Sequence, residues 1–355
     1  MKVLFTIGSL AGGGAERVVS RLASCMARRG ETVEVALIAR DAVDYPLDGR
    51  VDVRYIAPRI QIRGARYLLR CMAYRKEVGR FDPDVIISFT TAVNLFVLDA
   101  LRHTGRKIVL SERNDPYNDP KDPSARRKRD RVYHRASGLV FQTDDAKAYF
   151  SKEIQDKSTV ILNPVEVPAA LRGNVGKEKK LVTVGRLEPQ KNQTMLIKAF
   201  SQIHERFPEY RLEIYGEGSL RSELEDLIRS EKLEDAVFLM GYTKNVLEAI
   251  STASLFVLPS DYEGMSNALI EAMAIGSPVV STDHPIGGAR MVINDGVDGM
   301  LVPVGDREAM ARVVCQILGD EECSAAMSQA AVHINERLDI GKITDEWMDF
   351  IRKIL

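Results

Sequence analysis

Short apolar runs that suit buried strands alternate with helical runs along almost the whole chain, and this alternation restricts the fold more than any other feature. Such alternation builds a parallel β-sheet that helices cover on both faces. The series is interrupted at Asn163–Pro168, which contains two prolines, and it restarts near Lys180. Because 355 residues exceed one ordinary hydrophobic core, the sequence predicts two α/β domains joined by a linker that ends near residue 178.

Ligands of parallel α/β sheets bind beyond the carboxyl ends of the strands. The predicted strands are Lys2–Ile7, Thr32–Ala39, Val51–Ile56, Val85–Phe89, Lys107–Ser111, Leu139–Gln142, Thr159–Leu162, Lys180–Gly185, Arg211–Tyr215, Val237–Met240, Leu255–Leu258, Pro278–Ser281 and Met300–Val302. Small or polar segments that follow strands are Gly12–Gly14, Ser88–Thr91, Ser111–Asn114, Arg186–Asn192, Gly216–Gly218 and Gly287–Ala289. Asp82 and Asp84 have the spacing of a metal-binding pair, but they precede their strand and lie at the wrong end.

The segment from Leu255 to Thr282 predicts a buried strand, a loop, a short helix and a second strand. Ser266 is a suitable N-cap for the helix, and Gly276 ends it. Glu263 and Glu271 interrupt this apolar setting. Because an unpartnered carboxylate is costly to bury, both are predicted to face a cleft that a polar ligand enters. The alternative is that Glu271 lies on an exposed stripe of its helix.

Two other segments have the character of phosphate sites. Gly12–Gly14 lies between a strand and the predicted helix Ala15–Arg29, where backbone N–H groups favour an anion. Its spacing is not GxGxxG, so a glycine turn without a ligand is an equal alternative. Arg186 and Lys191 bracket the loop after the strand Lys180–Gly185, and two cations at that position suit a diphosphate. Ordinary surface cations are the alternative.

Charge is distributed unevenly along the chain. Residues 1–165 hold 29 Lys and Arg against 20 Asp and Glu, whereas the remainder holds 20 against 30. Basic residues alternate with apolar ones from Arg59 to Arg80, and Arg126–Arg129 is a second basic cluster. The first segment suits an anionic membrane surface; a solvated helix face is the alternative. Nucleic acid is disfavoured because no aromatic stacking platform accompanies the charge.

Four cysteines without a CxxC pair indicate a reducing compartment and no zinc site. No apolar run is long enough to span a bilayer, and the amino-terminal residues differ from a signal peptide. We therefore expect a cytoplasmic protein that associates peripherally with the inner face of the cell membrane.

Several motifs together resemble glycosyltransferase family 4, the retaining transferases of the GT-B fold. They are GGGAERV, SERND, LNPV, VGRLEPQKN, GEGSL and EGMSNALIEAMAIGSPVV, in the family's order. Glu263 and Glu271 have the family's E-x7-E spacing. Bacterial enzymes that extend lipid-linked or capsular saccharides are the most similar members, N-acetylgalactosaminyltransferases among them. The resemblance implies two Rossmann-like domains that face a central cleft, at residues 1–165 and 166–338. It also implies that a helix at 339–355, which carries Trp347, packs back on the first domain.

The resemblance further implies a division of roles. The first domain would bind the acceptor and the second a UDP-sugar donor, with no cofactor and no metal. Catalytic roles fall to Glu263, Arg186 and Lys191. Donor binding falls to Gly13, Gly14, Gly216, Glu263, Gly264, Met265, Ser266, Asn267 and Glu271. Acceptor binding falls to Arg17, Thr90, Glu112, Arg113 and Asn114.

The resemblance implies a reaction that transfers a hexose from a UDP-sugar to a polyprenyl-diphosphate-linked saccharide. UDP-GalNAc is the favoured donor. The usual proposal is a front-side displacement in which the leaving phosphate assists deprotonation of the acceptor. One departure concerns Arg113, which stands where many relatives have a histidine, and an arginine cannot act as a neutral acceptor or base. The alternatives are a GT-B epimerase that acts on the donor alone and an inactive binding partner in a glycan assembly complex.

Overall fold

The chain divides into two units in the computed structural model, which describes residues 1–56, 65–173 and 178–355. The first unit comprises Met1–Pro164 and Ile340–Leu355, and the second comprises Val165–Asp339. The division therefore lies one residue before the predicted boundary. The predicted linker includes residues 174–177, which lie outside the described residues.

The first unit alternates strands and helices as the sequence predicts. Its elements, apart from the last helix of the chain, are β1 (Lys2–Ile7), α1 (Gly14–Arg28), β2 (Thr32–Leu37), β3 (Asp52–Tyr55), α2 (Arg66–Phe81), β4 (Val85–Phe89), α3 (Thr91–Ala100), β5 (Ile108–Ser111), α4 (Pro123–Val132), β6 (Gly138–Phe141), α5 (Asp144–Ala148), α6 (Lys152–Asp156) and β7 (Ser158–Val160). The strands form a parallel sheet in the order β3-β2-β1-β4-β5-β6-β7.

The second unit repeats this plan with six parallel strands in the order β10-β9-β8-β11-β12-β13. Its elements are β8 (Glu178–Val184), α7 (Gln193–Arg206), β9 (Arg211–Tyr215), α8 (Arg221–Ser230), β10 (Val237–Gly241), α9 (Val246–Ser251), β11 (Ala253–Leu258), α10 (Asn267–Ile275), β12 (Val279–Thr282), β13 (Met300–Val302), α11 (Arg307–Gly319), α12 (Glu321–Ala331) and α13 (Ile334–Arg337). The last helix, α14 (Ile340–Ile354), belongs to the first unit. Short 3₁₀ turns occur at Tyr133–Arg135, Ala169–Leu171, Pro189–Lys191 and Pro285–Gly287.

The central strands are buried on both faces because helices cover both sides of each sheet. In β1 every residue after Lys2 is buried, and in β11 only Ser254 is less than fully buried. The strand order reverses between β1 and β4 in the first unit and between β8 and β11 in the second. Such reversals open a crevice at the carboxyl ends of the strands. The loops after these four strands are therefore the expected positions of ligand-binding residues.

Helix α14 confirms the prediction that the chain returns to the first unit at its end. It contacts α1, and the Arg29 guanidinium donates to the Gly341 carbonyl oxygen at 2.9 Å. Trp347 is fully buried and stacks on Phe89 with ring centroids 5.7 Å apart. A side chain at Gly138 would collide with Ile354, so this glycine admits the end of the helix. The α/β fold with two Rossmann-like sheets is therefore as predicted.

Candidate functional site

In the second unit, the loops after β8 and β11 are joined by hydrogen bonds. The Asp261 amide donates to the Gln190 carbonyl oxygen at 2.9 Å, and Asn192 Nδ2 donates to Asp261 Oδ1 at 2.6 Å. Asn192 has left-handed backbone angles, which asparagine tolerates, and its Oδ1 also caps α7 at Met195. The two loops at the strand-order reversal are therefore held together as one structure.

Lys191 and Glu263, which lie 72 residues apart in sequence, form an ion pair at this junction. The Ser260 hydroxyl donates to the same carboxylate at 2.9 Å, and Gln190 Nε2 lies 3.5 Å from its other oxygen. Burial raises the pKa of Glu263, but the Lys191 charge and the hydrogen bonds outweigh burial and bring that pKa below its ordinary value. The Lys191–Glu263 cluster, defined as these four residues, therefore holds an ionised carboxylate in the protein interior.

Arg186 belongs to the same loop but is exposed. Within the described residues its guanidinium forms no ion pair, whereas the Lys191 ammonium is paired with Glu263. The structure thus places the two predicted phosphate-binding cations in one strand-end loop, in different environments.

Helix α10 begins where the sequence predicts. The Ser266 hydroxyl oxygen lies 3.5 Å from the Leu269 amide nitrogen that it caps, and Gly276 ends the helix with left-handed angles. Glu271 is 1% exposed, so the alternative of an exposed stripe is wrong. It lies one turn after Asn267 on the same face of the helix. Gly264, Met265 and Ser266 are buried in the preceding loop.

Two glycines of the second unit allow neighbouring backbones to meet. A Cβ at Gly216, whose φ is +143°, would lie 2.0 Å from the Gly185 carbonyl oxygen. A Cβ at Gly288 would lie 1.6 Å from the Gly264 carbonyl oxygen. Backbone packing therefore accounts for Gly216, and its contact with a donor stays a prediction.

Sequence reasoning missed His284, which follows β12. Its side chain is fully buried, and its Nδ1 lies 3.2 Å from the Pro285 carbonyl oxygen. Burial lowers the pKa of His284 despite the opposing field of Glu263. The strand-end rule selected Gly287–Ala289 after this strand and passed over His284, which lies only two residues after the end of β12. Thr282, the last residue of β12, donates to the Ser260 carbonyl oxygen at 2.5 Å.

In the first unit, α1 begins at the glycine loop. Gly12 has a φ of +75°, and Gly13 is the N-cap of α1, whose first residue is Gly14. The Glu16 carboxylate lies against Gly13, where a Cβ would come within 1.9 Å of its Oε2. A carboxylate from the first turn of α1 therefore already occupies the position that a bound anion would take at the start of this helix.

The predicted acceptor residues occupy varied environments. Arg17 lies over the Tyr45 ring, 5.2 Å from its centroid. Thr90 has a φ of +75°, an uncommon angle for a β-branched residue. Asn114 Oδ1 accepts from the Asp115 amide at 2.9 Å.

Glu112 is an interior residue. Its two carboxylate oxygens accept hydrogen bonds from the Thr91 hydroxyl at 2.6 Å and the Tyr133 hydroxyl at 2.7 Å. Burial raises the pKa of Glu112, and the Arg129 charge and these hydrogen bonds only partly offset it. The geometry favours a role in holding the loop after β5, and a direct contact with an acceptor stays a prediction.

Arg113 is half-buried beside the same loop. Its guanidinium donates to the Ser111 hydroxyl at 3.3 Å and to Asn163 Oδ1, and it lies 5.2 Å from the centroid of the Phe89 ring. Burial lowers the pKa of Arg113 to about 9, so it carries its charge at neutral pH. It is therefore a fixed cation that can only donate hydrogen bonds.

Helix α2 presents an exposed face of mixed character. Tyr67, Leu68 and Met72 are more than half exposed, and Arg66 and Lys76 are exposed beside them. In the same basic segment, Arg80 pairs with Glu34 and Glu77, and Arg75 donates to the Ala100 carbonyl oxygen. Arg59 and Arg63 of the predicted segment lie outside the described residues.

Three further findings bear on the predicted classes of site. Across residues 1–56, 65–173 and 178–355, no three His, Cys, Asp or Glu side chains group so that they could hold a metal ion. Asp82 pairs with Arg106, and Asp84 Oδ2 accepts from the Lys2 amide at 2.7 Å, both at the amino ends of their strands. In the same described ranges, every helix is too short or too polar to cross a bilayer.

Comparison with known proteins gives two family matches. Residues 171–333 match the model for glycosyl transferases group 1, and residues 12–167 match the model for glycosyltransferase family 4. A Campylobacter jejuni protein, GalNAc-α-(1→4)-GalNAc-α-(1→3)-diNAcBac-PP-undecaprenol α-1,4-N-acetyl-D-galactosaminyltransferase, is 27% identical over 100% of this chain and 99% of its own. A second protein of that organism, N-acetylgalactosamine-N,N'-diacetylbacillosaminyl-diphospho-undecaprenol 4-α-N-acetylgalactosaminyltransferase, is 31% identical over 55% of this chain and 53% of its own.

Solved structures agree with the fold. Anabaena HepE in complex with UDP and glucose superposes with a TM-score of 0.85 at 21% identity, covering 99% of both chains. The lipopolysaccharide outer core galactosyltransferase WaaB, in its apo form, superposes with a TM-score of 0.75 at 19% identity over the full length of both. At these identities the likeness concerns the fold alone.

Proposed function

Because this chain belongs to glycosyltransferase group 1/family 4, the retaining enzymes of the GT-B fold that use nucleotide sugars, we propose that it moves a sugar from a UDP-sugar to a polyprenyl-diphosphate-linked saccharide. UDP-GalNAc or a UDP-activated related hexose is the proposed donor. The process would be the assembly of a bacterial surface glycan. The second unit would bind the donor and the first unit the acceptor.

The Lys191–Glu263 cluster carries this proposal. It lies at the strand-order reversal of the second unit, where α/β sheets bind ligands, and it combines a cation with an ionised carboxylate. A UDP-sugar needs both kinds of group, since its diphosphate is anionic and its sugar hydroxyls donate hydrogen bonds to carboxylates. In the proposed complex Lys191 turns to the diphosphate with Arg186, and Glu263 accepts hydrogen bonds from the sugar.

The neighbouring loop and helix supply the remaining proposed donor contacts. The backbone N–H groups of Gly264, Met265 and Ser266 precede α10 and are suited to oxygen acceptors of the donor. Glu271 would accept hydrogen bonds from the ribose hydroxyls. The family's E-x7-E spacing, which Glu271 shares with Glu263, supports this role.

The proposed reaction breaks the bond between the anomeric carbon and the β-phosphate oxygen and forms a bond from the anomeric carbon to an acceptor hydroxyl oxygen. The acceptor proton passes to the leaving phosphate, so UDP and the extended saccharide are the products. Negative charge grows on the leaving group in the transition state, where preorganised cations lower the barrier. Arg186 and Lys191 would therefore act chiefly on kcat. We propose that these cations perform the neutralisation without a metal ion.

Donor identity rests on the Campylobacter relatives, whose names specify N-acetylgalactosaminyl transfer. Arg113 bears on donor identity, because it stands where the family resemblance implies a histidine. An Arg113→His variant tests its influence: we expect a change of about tenfold in the ratio of kcat/KM for UDP-GalNAc and UDP-galactose, the effect of one hydrogen bond to a sugar group. An unchanged ratio would remove Arg113 from donor selection.

The proposed acceptor and membrane contact rest on the first unit. The same relatives act on undecaprenol-linked saccharides. Exposed Leu68 and Met72 beside Arg66 and Lys76 on α2 suit an interface with anionic lipid, and residues 1–165 carry the excess of basic charge. We therefore propose peripheral association with the inner face of the cell membrane.

The decisive experiment measures nucleotide release from a panel of UDP-, GDP- and ADP-sugars, in EDTA, with and without a lipid-linked saccharide extract. Acceptor-dependent release from one UDP-sugar despite EDTA is the expected result. A converted sugar nucleotide formed without acceptor would indicate the epimerase alternative. Binding of a UDP-sugar with no release under any condition would indicate an inactive binding partner.

A further inference from the structure

The buried imidazole of His284 lies beside the Lys191–Glu263 cluster and has no part in the mechanism proposed above. Its Nε2 atom has no hydrogen-bond partner among the described residues. Buried polar atoms are nearly always paired, and an unpaired one lowers stability. An orphaned nitrogen at a strand end therefore calls for a ligand.

The hydrogen bonds of the ring identify which chemistry Nε2 offers. Nδ1 lies 3.2 Å from the Pro285 carbonyl oxygen, which can only accept, so the network assigns the ring proton to Nδ1. Because burial also lowers the pKa of His284, the imidazole is neutral near pH 7. Nε2 then carries a lone pair and acts only as an acceptor.

The surroundings place this acceptor at the proposed donor site. Among the charged groups that act on the His284 pKa, Glu263 has the largest effect, followed by Lys191 and Asp283. The ring also adjoins the point where the Gly264 and Gly288 backbones meet, since a Cβ at Gly288 would lie 3.2 Å from His284 Cε1. The loop that carries Glu263 thus passes directly by the imidazole.

We infer that His284 Nε2 accepts a hydrogen bond from the sugar of the donor, either from a hydroxyl or from an acetamido N–H, and that His284 is a specificity-determining residue. A phosphate oxygen is excluded as the partner because it too is an acceptor. The inference rests on the proposed donor site of the second unit.

Nε2 is enclosed, so the contact requires neighbouring groups to move, and we propose that Lys191 and Glu263 separate to admit the sugar. The proposed mechanism already contains that separation, since Lys191 turns to the diphosphate. A sugar group that binds in the vacated space would lie next to both the Glu263 carboxylate and the imidazole.

Two variants at this position separate the contact from a structural role. In His284→Asn the amide nitrogen replaces Nδ1 and keeps the hydrogen bond to Pro285, but no acceptor stands at Nε2. In His284→Gln the amide oxygen replaces the Nε2 acceptor. The full-length proteins are titrated calorimetrically with UDP, UDP-GalNAc and UDP-galactose.

We expect His284→Asn to bind at least one UDP-sugar about tenfold more weakly, which corresponds to one hydrogen bond, and to bind UDP as the unsubstituted protein does. His284→Gln should recover most of the loss. A loss confined to UDP-GalNAc identifies the acetamido N–H as the partner, and a loss with both sugars identifies a hydroxyl. Equal weakening of UDP and the UDP-sugars, or no weakening at all, would overturn the inference.

A measurement on the unsubstituted protein covers the case in which a variant does not fold. With ¹⁵N-labelled histidine, UDP-GalNAc or UDP-galactose should move the Nε2 resonance of one unprotonated imidazole to lower frequency, whereas UDP should not. Binding of UDP-sugars without this shift overturns the role of His284 alone. Failure of the protein to bind any UDP-sugar overturns the proposed donor and this inference together.

Discussion

Each unit carries a buried glutamate in a loop that follows a strand, Glu263 after β11 and Glu112 after β5, yet the two carboxyl groups have opposite pKa shifts. In the second unit Glu263 is paired with Lys191, and its pKa lies below the ordinary value because the cation outweighs burial. In the first unit Glu112 receives two neutral hydroxyls, and its pKa is raised because burial prevails. Burial acts on both carboxyl groups, and the groups that contact each one decide the direction of its pKa shift.

This difference has a chemical consequence. An ionised carboxylate that is paired with a lysine ammonium can exchange that partner for the hydroxyls of a ligand, because both are hydrogen-bond donors. A carboxyl group held by interior hydroxyls of its own unit has no such exchange available. We therefore propose ligand binding for Glu263 and loop positioning for Glu112, and contact of Glu112 with an acceptor stays a prediction.

The largest expected effect comes from removing each charge in turn. Glu263→Gln should lower kcat/KM by about a hundredfold or more, because it removes an acceptor for the sugar and leaves Lys191 without its partner. Glu112→Gln should cost less than about tenfold, because the hydroxyls of Thr91 and Tyr133 can rotate to serve the amide. Both values are read from initial rates of UDP release.

Glu213 supplies a matched control for this comparison. It is a buried, ion-paired glutamate of the second unit, 2.8 Å from Arg211 and 3.4 Å from Lys180, within β9 and not in a strand-end loop. Glu213→Gln should lower the melting temperature with little effect on kcat/KM. Comparable kinetic losses for all three variants would remove the distinction between Glu263 and the other glutamates.

A second prediction concerns the exposed face of α2, which has a basic character that the second unit lacks. The double change Leu68→Ser and Met72→Ser should reduce binding to anionic vesicles about tenfold, because each side chain would otherwise bury apolar surface in lipid. UDP binding should be unaffected. Vesicles of neutral lipid should bind weakly with or without the changes.

Val297, an exposed apolar residue of the second unit, provides the control for that experiment. Val297→Ser should leave vesicle binding as it is. If Val297→Ser weakens vesicle binding as much as the α2 changes do, the membrane contact is not a property of α2, and the solvated-face interpretation gains support.

Local sequence patterns predicted much of the fold. The apolar alternation located the strands to within two residues at most ends, because parallel strands are buried on both faces and read as continuous apolar runs. The Ser266 cap and the Gly276 stop were visible because each requires a particular residue type at one position. The strand-end position drew attention to the loop that holds Lys191, and the cost of burying a carboxylate drew attention to Glu263.

The contacts within the site could not be predicted in this way. The pairing of Lys191 with Glu263 joins residues that lie 72 positions apart, and no local pattern encodes such a contact. The family resemblance assigns Glu112 to the acceptor, but sequence position does not reveal its hydrogen bonds with Thr91 and Tyr133. His284 was missed because a lone histidine after a strand is unremarkable until its burial is known.

The smallest expected effect tests the opposite pKa shifts of the two glutamates through the pH dependence of stability. The folded-state pKa of Glu263 is depressed, so its contribution is present above the unfolded value of about 4.3 and is lost as pH falls through the folded value. The folded-state pKa of Glu112 is raised, so its contribution is present below about 4.3 and is lost as pH rises through the folded value. The deficit of Glu263→Gln in melting temperature should therefore shrink toward acid pH, and that of Glu112→Gln should shrink toward neutral pH.

Each shift should amount to a few degrees, and the two units can be followed separately. Trp347 is the only tryptophan and lies buried in the first unit, so its fluorescence reports the unfolding that Glu112→Gln affects. Calorimetry records both units and supplies the transition that Glu263→Gln affects. Deficits that move in the same direction with pH would mean that the pKa values of the two carboxyl groups are shifted in the same direction, and the proposed contrast between Glu263 and Glu112 would then lose its physical basis.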